Sequence, residues 1–303
     1  MTKNPAAVRR SAASATPAGP GRYRGVLRAC RPRQWLKNVL VFAAPAAAGV
    51  LTTPAGIGLS LIAFVSFCFA ASGTYLLNDA ADVEADRLHP RKRFRPIAAG
   101  VVPVRLARVL GVAFILIAPA VAALSGGWRF PLVVVGYLVL TSAYTLRLKH
   151  LAILDLVAVA GCHVIRAYAG AVVVDVPVTS WFLVVISFGS LQLVIGKREA
   201  ELRGHGTSGT RATLVVYSLS YLTNLRVMVS AATLVTYCLW ALDEVNPFRA
   251  LSIVPFILLM LRLNLFVDRG VGEEPEELVL RDRQLQIFTG LLIALIAVGV
   301  YAR

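Results

Sequence analysis

Residues 57–78 read IGLSLIAFVSFCFAASGTYLLN, and the next nine read Asp79-Ala80-Ala81-Asp82-Val83-Glu84-Ala85-Asp86-Arg87. The first stretch has no charged residue; the second has five. A helix needs about 20 mostly apolar residues to cross the hydrocarbon of a bilayer. Residues 57–78 therefore read as a membrane span, and the acidic run lies where that span meets water. Working outward, eight further apolar runs follow the same pattern: 35–52, 104–124, 130–148, 151–172, 178–197, 221–242, 248–266 and 284–302. They are continuous, whereas the strands of a transmembrane barrel alternate over about 10 residues. The expectation is an all-α integral membrane protein with about nine transmembrane helices.

Composition points the same way. Hydrophobic residues make up 57% of the chain and charged residues 16%, against about 25% charged in a soluble domain. A soluble fold would have to expose much of that apolar surface. The net charge of +15 would suggest nucleic acid in a soluble protein, but no nucleic-acid motif accompanies it, and no nucleic-acid partner is expected. With the N-terminus in the cytosol and the spans alternating, 27 of the 31 Lys and Arg residues fall on cytosolic segments. Arg129, Arg249 and Arg303 fall outside, and Arg166 lies within a span. That asymmetry follows the positive-inside rule and predicts a cytosolic N-terminus and an external C-terminus.

The long charged links 79–103, 198–220 and 267–283 are then all cytosolic, so chemistry is expected on that face of a plasma membrane. Residues 1–25 are rich in Ala, Pro, Ser and Arg, with no acid and no apolar core. They read as a disordered basic tail near anionic lipid, not a cleavable signal. Residues 26–303 read as a single transmembrane domain. The four cysteines, Cys30, Cys68, Cys162 and Cys238, form no CxxC pair and read as small core residues.

Asp79, Asp82 and Asp86 are spaced i, i+3 and i+7, which on a helix places them on one face. Like charges there repel. Hard oxygen ligands suit Mg²⁺, which takes one or two carboxylates together with phosphate oxygens and water. The plain alternative is a solvated helix end. Asn78 adjoins this face. The run His89-Pro90-Arg91-Lys92-Arg93-Phe94-Arg95-Pro96 sets guanidinium forks and an ammonium between two helix-stopping prolines. It is a positive-inside loop or, beside a magnesium face, a phosphate clamp.

Three more clusters lie on the same side. Arg31-Pro32-Arg33-Gln34-Trp35-Leu36-Lys37-Asn38 precedes the first span, Tyr144 to Lys149 joins the fourth to the fifth, and Lys197-Arg198-Glu199-Ala200-Glu201 ends the sixth. Each suits either a membrane boundary or phosphate binding. Asp155, His163, Arg166 and Gly170 share one stripe of the fifth span, where ionisable groups face the bundle interior and are paired or functional. The acidic run from Gly272 to Leu278, followed by Leu280-Arg281-Asp282-Arg283, reads as a solvated loop with capping charges.

The run Asn78 to Asp86 is the NDxxDxxxD motif of the UbiA-type intramembrane prenyltransferase superfamily, which the chain resembles along nearly its whole length. Tyr144 to Lys149 is similar to the Tyr/Lys loop of that superfamily. The strings RPRQWLKN (31–38), NDAADVEADRLHPRKRFRPIAAG (78–100), LKH (148–150), GKREAEL (196–202) and EPEELVLRDR (274–283) resemble a narrower branch. Members of that branch transfer phosphoribose to decaprenyl phosphate. Members that alkylate aromatic rings carry a second aspartate-rich motif after the sixth span; here Lys197 to Glu201 stands in that place.

The resemblance implies a UbiA-like bundle and a Mg²⁺-dependent pentosyltransferase. Its donor is phosphoribosyl diphosphate, its acceptor a polyprenyl phosphate, and its by-product pyrophosphate, in the synthesis of arabinan precursors for cell-wall arabinogalactan. It implies Asp79, Asp82 and Asp86 as metal ligands and, together with Asp155, as catalytic residues. Asn78, Arg87, Lys92, Arg93, Arg95, Lys197, Arg198 and Glu199 fall at the donor. Lys37, Asn38, Tyr144 and Lys149 fall at the acceptor phosphate. A homo-oligomer is compatible with this reading. Two alternatives stay open. A conventional UbiA-type enzyme prenylating a quinone ring would carry the second aspartate-rich motif. A lipid carrier or transporter would favour inverted repeats and ionisable residues at the midplane, whereas most acids here cluster at one face.

Overall fold

The computed structural model describes residues 21–205, 212–243, 245–271 and 275–302. Regular structure among these residues is helical, with no strand. The chain opens with α1 (Arg22–Ala29), a 3₁₀ helix over Pro32–Phe42 and α2 (Ala43–Ala47). It continues through α3 (Pro54–Ala81), α4 (Val83–Leu88), α5 (Val104–Ala123), α6 (Arg129–Leu146), α7 (Leu154–Val173) and α8 (Ser180–His205). The last part holds α9 (Leu219–Leu242), α10 (Pro247–Leu251), α11 (Ile253–Asp268), α12 (Pro275–Arg281) and α13 (Arg283–Tyr301). Helix α1 straddles the expected tail boundary after residue 25; residues 1–20 lie outside the described residues.

Among the described residues, eight helices are long and apolar enough to cross a membrane: α3, α5, α6, α7, α8, α9, the α10–α11 pair and α13. The first of the nine expected spans, 35–52, is therefore corrected. It is a 3₁₀ helix, a short α2, and a second 3₁₀ turn over Val50–Thr52. Pro45 lacks a backbone donor and Gly49 takes φ +75, and the segment is not one continuous α-helical ladder. The segment still runs from one end of the bundle to the other. Arg31 meets Asp79 near the C-terminal end of α3, and the carbonyl of Ala46 accepts from the Tyr301 hydroxyl at the end of α13.

Small residues let the helices approach. Gly73 on α3 lies under the Gly111 carbonyl of α5, and Ser66 donates to Ala118 O at 2.7 Å. Such contacts suit a membrane bundle, where close packing replaces the hydrophobic effect between helices. The largest buried cluster joins α3, α6 and α7 around Phe67, Phe130 and Tyr137. A second, with Ala29, Leu76, Ile97 and Val102, lies under the acidic motif. Outward-facing Val109, Leu116, Val139, Leu261 and Ile293 are exposed, as lipid-facing residues are. Near α13, Asp282 caps the helix by accepting from Leu285 N–H at 2.9 Å and pairs with Arg262 at 2.7 Å. Those two contacts, Arg262 first, hold its carboxyl below the usual carboxylate range, so the capping role expected for this acidic segment is realised at Asp282.

Gly170 on α7 faces the broken segment so closely that a Cβ would fall onto the Val41 carbonyl. Gly170→Ala is expected to destabilise the protein by about 1–3 kcal/mol through overpacking. Gly136 on α6 has nothing within 4 Å of a built Cβ, and Gly136→Ala should be neutral or slightly stabilising. Thermal unfolding of both variants in detergent checks this.

Candidate functional site

Helix α3 ends at Ala81 and α4 resumes at Val83, with the chain bending at Asp82 (φ −90, ψ 9). The ladder is carried across the bend: Asp82 N–H donates to Asn78 O and Asp86 N–H to Asp82 O, at 2.9 and 2.8 Å. Asp79 and Asp86 are buried, 3% and 2% exposed, while Asp82 stands exposed at the bend. The three aspartates therefore do not share one face; two are turned inward and one outward.

Two buried carboxylates cannot stay ionised without compensation, and two arginines supply it. The basic loop after α4 folds back so that Arg95 Nη1 lies 3.1 Å from Asp79 Oδ1 and 2.7 Å from Asp86 Oδ2. Its return is fixed by Ile97 and Val102, both buried in the cluster beneath. Arg31 reaches the same Asp79 oxygen at 2.7 Å and lies over the Tyr75 ring at 4.7 Å. Arg31 adopts a left-handed backbone (φ 53, ψ 61) to turn from α1 into the 3₁₀ helix. Both arginine side chains are about 30% exposed.

The other expected donor residues of this loop are placed as follows. Arg87 pairs with Glu84 at 2.9 Å and donates to Ala98 O at 3.3 Å. Arg93 lies over Phe94, and Lys92 is half-buried with its backbone N–H on His89 Nδ1. Asn78 donates to Thr145 Oγ1 at 3.3 Å, tying the motif to the end of α6 beside half-buried Tyr144. Lys149 lies half-buried in a 3₁₀ turn over Leu148–His150.

Among the described residues, no three Asp, Glu, His or Cys side chains converge closely enough to hold a metal ion unaided. The Asp79–Asp86 pair nevertheless fits a hard divalent cation that takes two carboxylates and completes its shell from phosphate and water. The positive charge they share at Arg95 Nη1 marks the place between them.

Asp155, Arg198 and Glu199 belong to a second, deeper network. Asp155 is 0% exposed and accepts from Arg198 Nε at 3.2 Å, Thr213 at 3.2 Å and Tyr217 at 2.6 Å. The Tyr217 oxygen in turn accepts from Ile153 N–H at 2.6 Å. Burial first, and then the Asp155 carboxylate, push the Tyr217 phenol above its ordinary range, so it stays a donor. Ile153 is held at φ 70, a left-handed conformation unusual for a β-branched residue. Glu199, also 0% exposed, accepts from Arg226 Nε at 2.6 Å, Arg203 Nη2 at 2.8 Å and Thr223 at 2.9 Å. Arg198 also pairs with Glu201 at 3.3 Å. These contacts lock α7, α8 and α9 together. Half-buried Lys197 lies one residue before Arg198 on α8.

A third polar group crosses the broken segment. Asn38, 0% exposed, accepts from Arg166 Nε at 2.8 Å and donates to Cys68 Sγ. Arg166 also donates to Cys162 O and to Tyr137 Oη at 2.6 Å, with its guanidinium 4.7 Å from the Tyr137 ring centroid. The stripe Asp155, His163, Arg166 thus does not pair within itself: Arg166 is satisfied by neutral groups and Asp155 by α8 and Tyr217. Half-buried Lys37 adjoins Asn38. Sequence reasoning passed over Arg31 as a site residue, and also Tyr217, Arg226 and Tyr137. Its one available signal for Arg31 was the position of that residue inside the basic RPRQWLKN string.

A sequence model described as the UbiA prenyltransferase family matches residues 39–299. Relatives named decaprenyl-phosphate phosphoribosyltransferase include one from Mycolicibacterium smegmatis, 42% identical and covering 91% of this chain and 92% of the relative. Another, from Mycobacterium tuberculosis, is 43% identical over 91% of this chain and 94% of the relative. Among solved structures, a UbiA homologue from Archaeoglobus fulgidus bound to DMAPP and Mg²⁺ superposes with a TM-score of 0.72 at 19% identity. It covers 92% of this chain and all of its own.

The buried network has a direct test. Glu199→Ala strips Arg203 and Arg226 of their counter-charge and is expected to cost about 3–5 kcal/mol. Tyr217→Phe leaves Ile153 N–H without its acceptor and should cost about 1–3 kcal/mol. Both are read as lowered unfolding temperatures of the purified protein, with the larger drop for Glu199→Ala.

Proposed function

Because the chain belongs to the UbiA prenyltransferase family, and its relatives are transferases, we propose that it transfers 5-phosphoribose from phosphoribosyl diphosphate to a polyprenyl phosphate. The observation that carries this reading is the pair of buried carboxylates, Asp79 and Asp86, closed over by the exchangeable guanidinia of Arg95 and Arg31. That arrangement suits a diphosphate. It offers acids for a divalent cation and, beside them, cations for the phosphate oxygens the metal leaves uncovered.

A phosphate oxygen of the lipid attacks C1 of the ribose, the C1–O bond to the diphosphate breaks, and pyrophosphate leaves with that electron pair. A phosphate monoester is largely dianionic at neutral pH, its second pKa being about 6, so no strong general base is required. Asp79 and Asp86, with Asp82 at the rim, would hold Mg²⁺, which would supply charge neutralisation for the leaving group. Arg95, Lys92 and Arg93 then bind the phosphates of the donor, with Asn78 and Arg87 holding the motif in register. Preorganised cations of this kind act where negative charge develops. Lys37, Tyr144, Lys149 and Lys197 stand as charged or hydrogen-bonding neighbours for the acceptor phosphate and the far end of the donor. Asp155, Arg198, Glu199 and Asn38 serve the reaction by holding the bundle around it. The site faces the cytosol of the plasma membrane, where the soluble donor is available. The product is a polyprenyl-phosphoryl phosphoribose, a precursor for cell-wall arabinan.

Purified protein in detergent with phosphoribosyl diphosphate, decaprenyl phosphate and Mg²⁺ is expected to yield the phosphoribosylated lipid, detected by mass. Asp79→Asn should lower turnover by about 10²-fold or more, and EDTA should abolish it. No product from this substrate pair, with consumption of a prenyl diphosphate and an aromatic acceptor instead, would overturn the proposal.

A further inference from the structure

Protein groups alone balance the charge of the two buried acids, and the balance turns on one atom. Both contacts that Arg95 makes with them come from Nη1, at 3.1 Å from Asp79 Oδ1 and 2.7 Å from Asp86 Oδ2. The two oxygens face each other across that single nitrogen. A divalent ion held by the same two oxygens, at about 2.1 Å from each, would lie in the same gap. Arg95 Nη1 and such an ion are mutually exclusive partners of the Asp79–Asp86 pair.

Charge counting says what it takes to exchange them. Asp79 and Asp86 are each negative, and Arg31 and Arg95 supply an equal positive charge. A divalent ion added to these four groups leaves positive charge in excess beside acids that are almost fully buried, where solvent screens little. A diphosphate is a multiply charged anion and removes that excess. It is also a group that a guanidinium binds strongly, through charge-assisted N–H bonds.

We propose that Arg95 is an internal counter-ion that keeps divalent metal off Asp79 and Asp86 until a diphosphate draws its guanidinium away, so that metal and donor bind cooperatively. The proposal rests on the reading of the donor as a diphosphate. The exchange needs movement of a side chain only. The backbone of Arg95 is fixed, with its N–H on Lys92 O at 2.9 Å and its carbonyl accepting from Ala99 N–H at 2.8 Å. Its side chain is 29% exposed. Arg31 is not an equivalent latch: it meets Asp79 but not Asp86, and its guanidinium lies over the Tyr75 ring.

Equilibrium dialysis of the purified protein at fixed free Mn²⁺, with and without pyrophosphate, measures the coupling without turnover. Wild-type protein is expected to retain Mn²⁺ about tenfold more tightly when pyrophosphate is present, and Asp79→Asn to retain none in either case. Arg95→Gln should bind Mn²⁺ alone about tenfold more tightly than wild type and lose most of the enhancement by pyrophosphate. Arg31→Gln removes the same charge but leaves the gap filled, and its gain should be smaller. Equal wild-type affinity with and without pyrophosphate overturns the proposal. So does an equal gain in the two arginine variants, because charge and not position would then set the affinity.

Thermal unfolding in detergent supplies a second readout. Removing Arg95 leaves two buried acids short of a cation, so Arg95→Gln should unfold at a lower temperature than wild type. Mg²⁺ alone should restore that temperature in Arg95→Gln and leave wild type unmoved. An Arg95→Gln protein that cannot be recovered folded even in Mg²⁺ overturns the proposal, since the ion would then not replace the guanidinium. Arg95-dependent coupling of Mn²⁺ to pyrophosphate in a protein that transfers no phosphoribose would uphold the latch and sink the reaction assigned above. Phosphoribosyl transfer by a protein that binds Mn²⁺ equally well without pyrophosphate would do the reverse.

Discussion

The guanidinium of Arg95, held between the carboxylates of Asp79 and Asp86, is the contact on which this end of the bundle depends. Two acids almost entirely removed from solvent need a cation within hydrogen-bonding distance. That need draws the loop from His89 to Val102 back over α3, and Ile97 and Val102 are then packed into the cluster that also holds Leu76 and Ala29. Arg31 answers the same need from the other side. To reach Asp79 it takes a left-handed backbone, and this turn aims the following segment into the interior. Seven residues later that segment delivers Asn38 to Arg166, and Arg166 connects it to Tyr137 on α6. A demand set by two aspartates thus propagates through three elements.

Much of this was legible in the sequence, because hydropathy and charge are local properties. Eight of the nine expected spans exist as long apolar helices, the acidic motif sits at the end of one of them, and Asp282 caps α13. The first span misled because its composition is apolar while its backbone is interrupted near Pro45 and Gly49. Windowed hydropathy weighs side chains and ignores missing donors. The shared face of Asp79, Asp82 and Asp86 assumed an unbroken helix, and the bend at Asp82 removes that assumption. Periodicity also cannot say which distant group a residue meets. Asp155 is bonded to Arg198 and Tyr217, 43 and 62 residues away, and nothing local to Asp155 announces them.

The two acidic centres differ in a way that separates framework from chemistry. The carboxylates of Glu199 and Asp155 are met by donors from α8, from α9 and from the segment between them, and neither touches solvent. A ligand could engage them only by breaking bonds whose loss leaves a buried charge alone, which is the costly direction. That suits a clamp on α7, α8 and α9, and it explains why Ile153 can be held in a conformation its side chain disfavours.

Asp79 and Asp86 are equally buried, but the cations that satisfy them are not. Arg31 and Arg95 keep nearly a third of their side-chain surface open, and each guanidinium has more N–H groups than the carboxylates can take. Under the function proposed above, those spare N–H groups would take phosphate oxygens of the donor while the two acids would hold the metal, with Asp82 already at the surface beside them. A positive partner for each buried acid in both arrangements would leave no unpaired charge in the interior of the bundle.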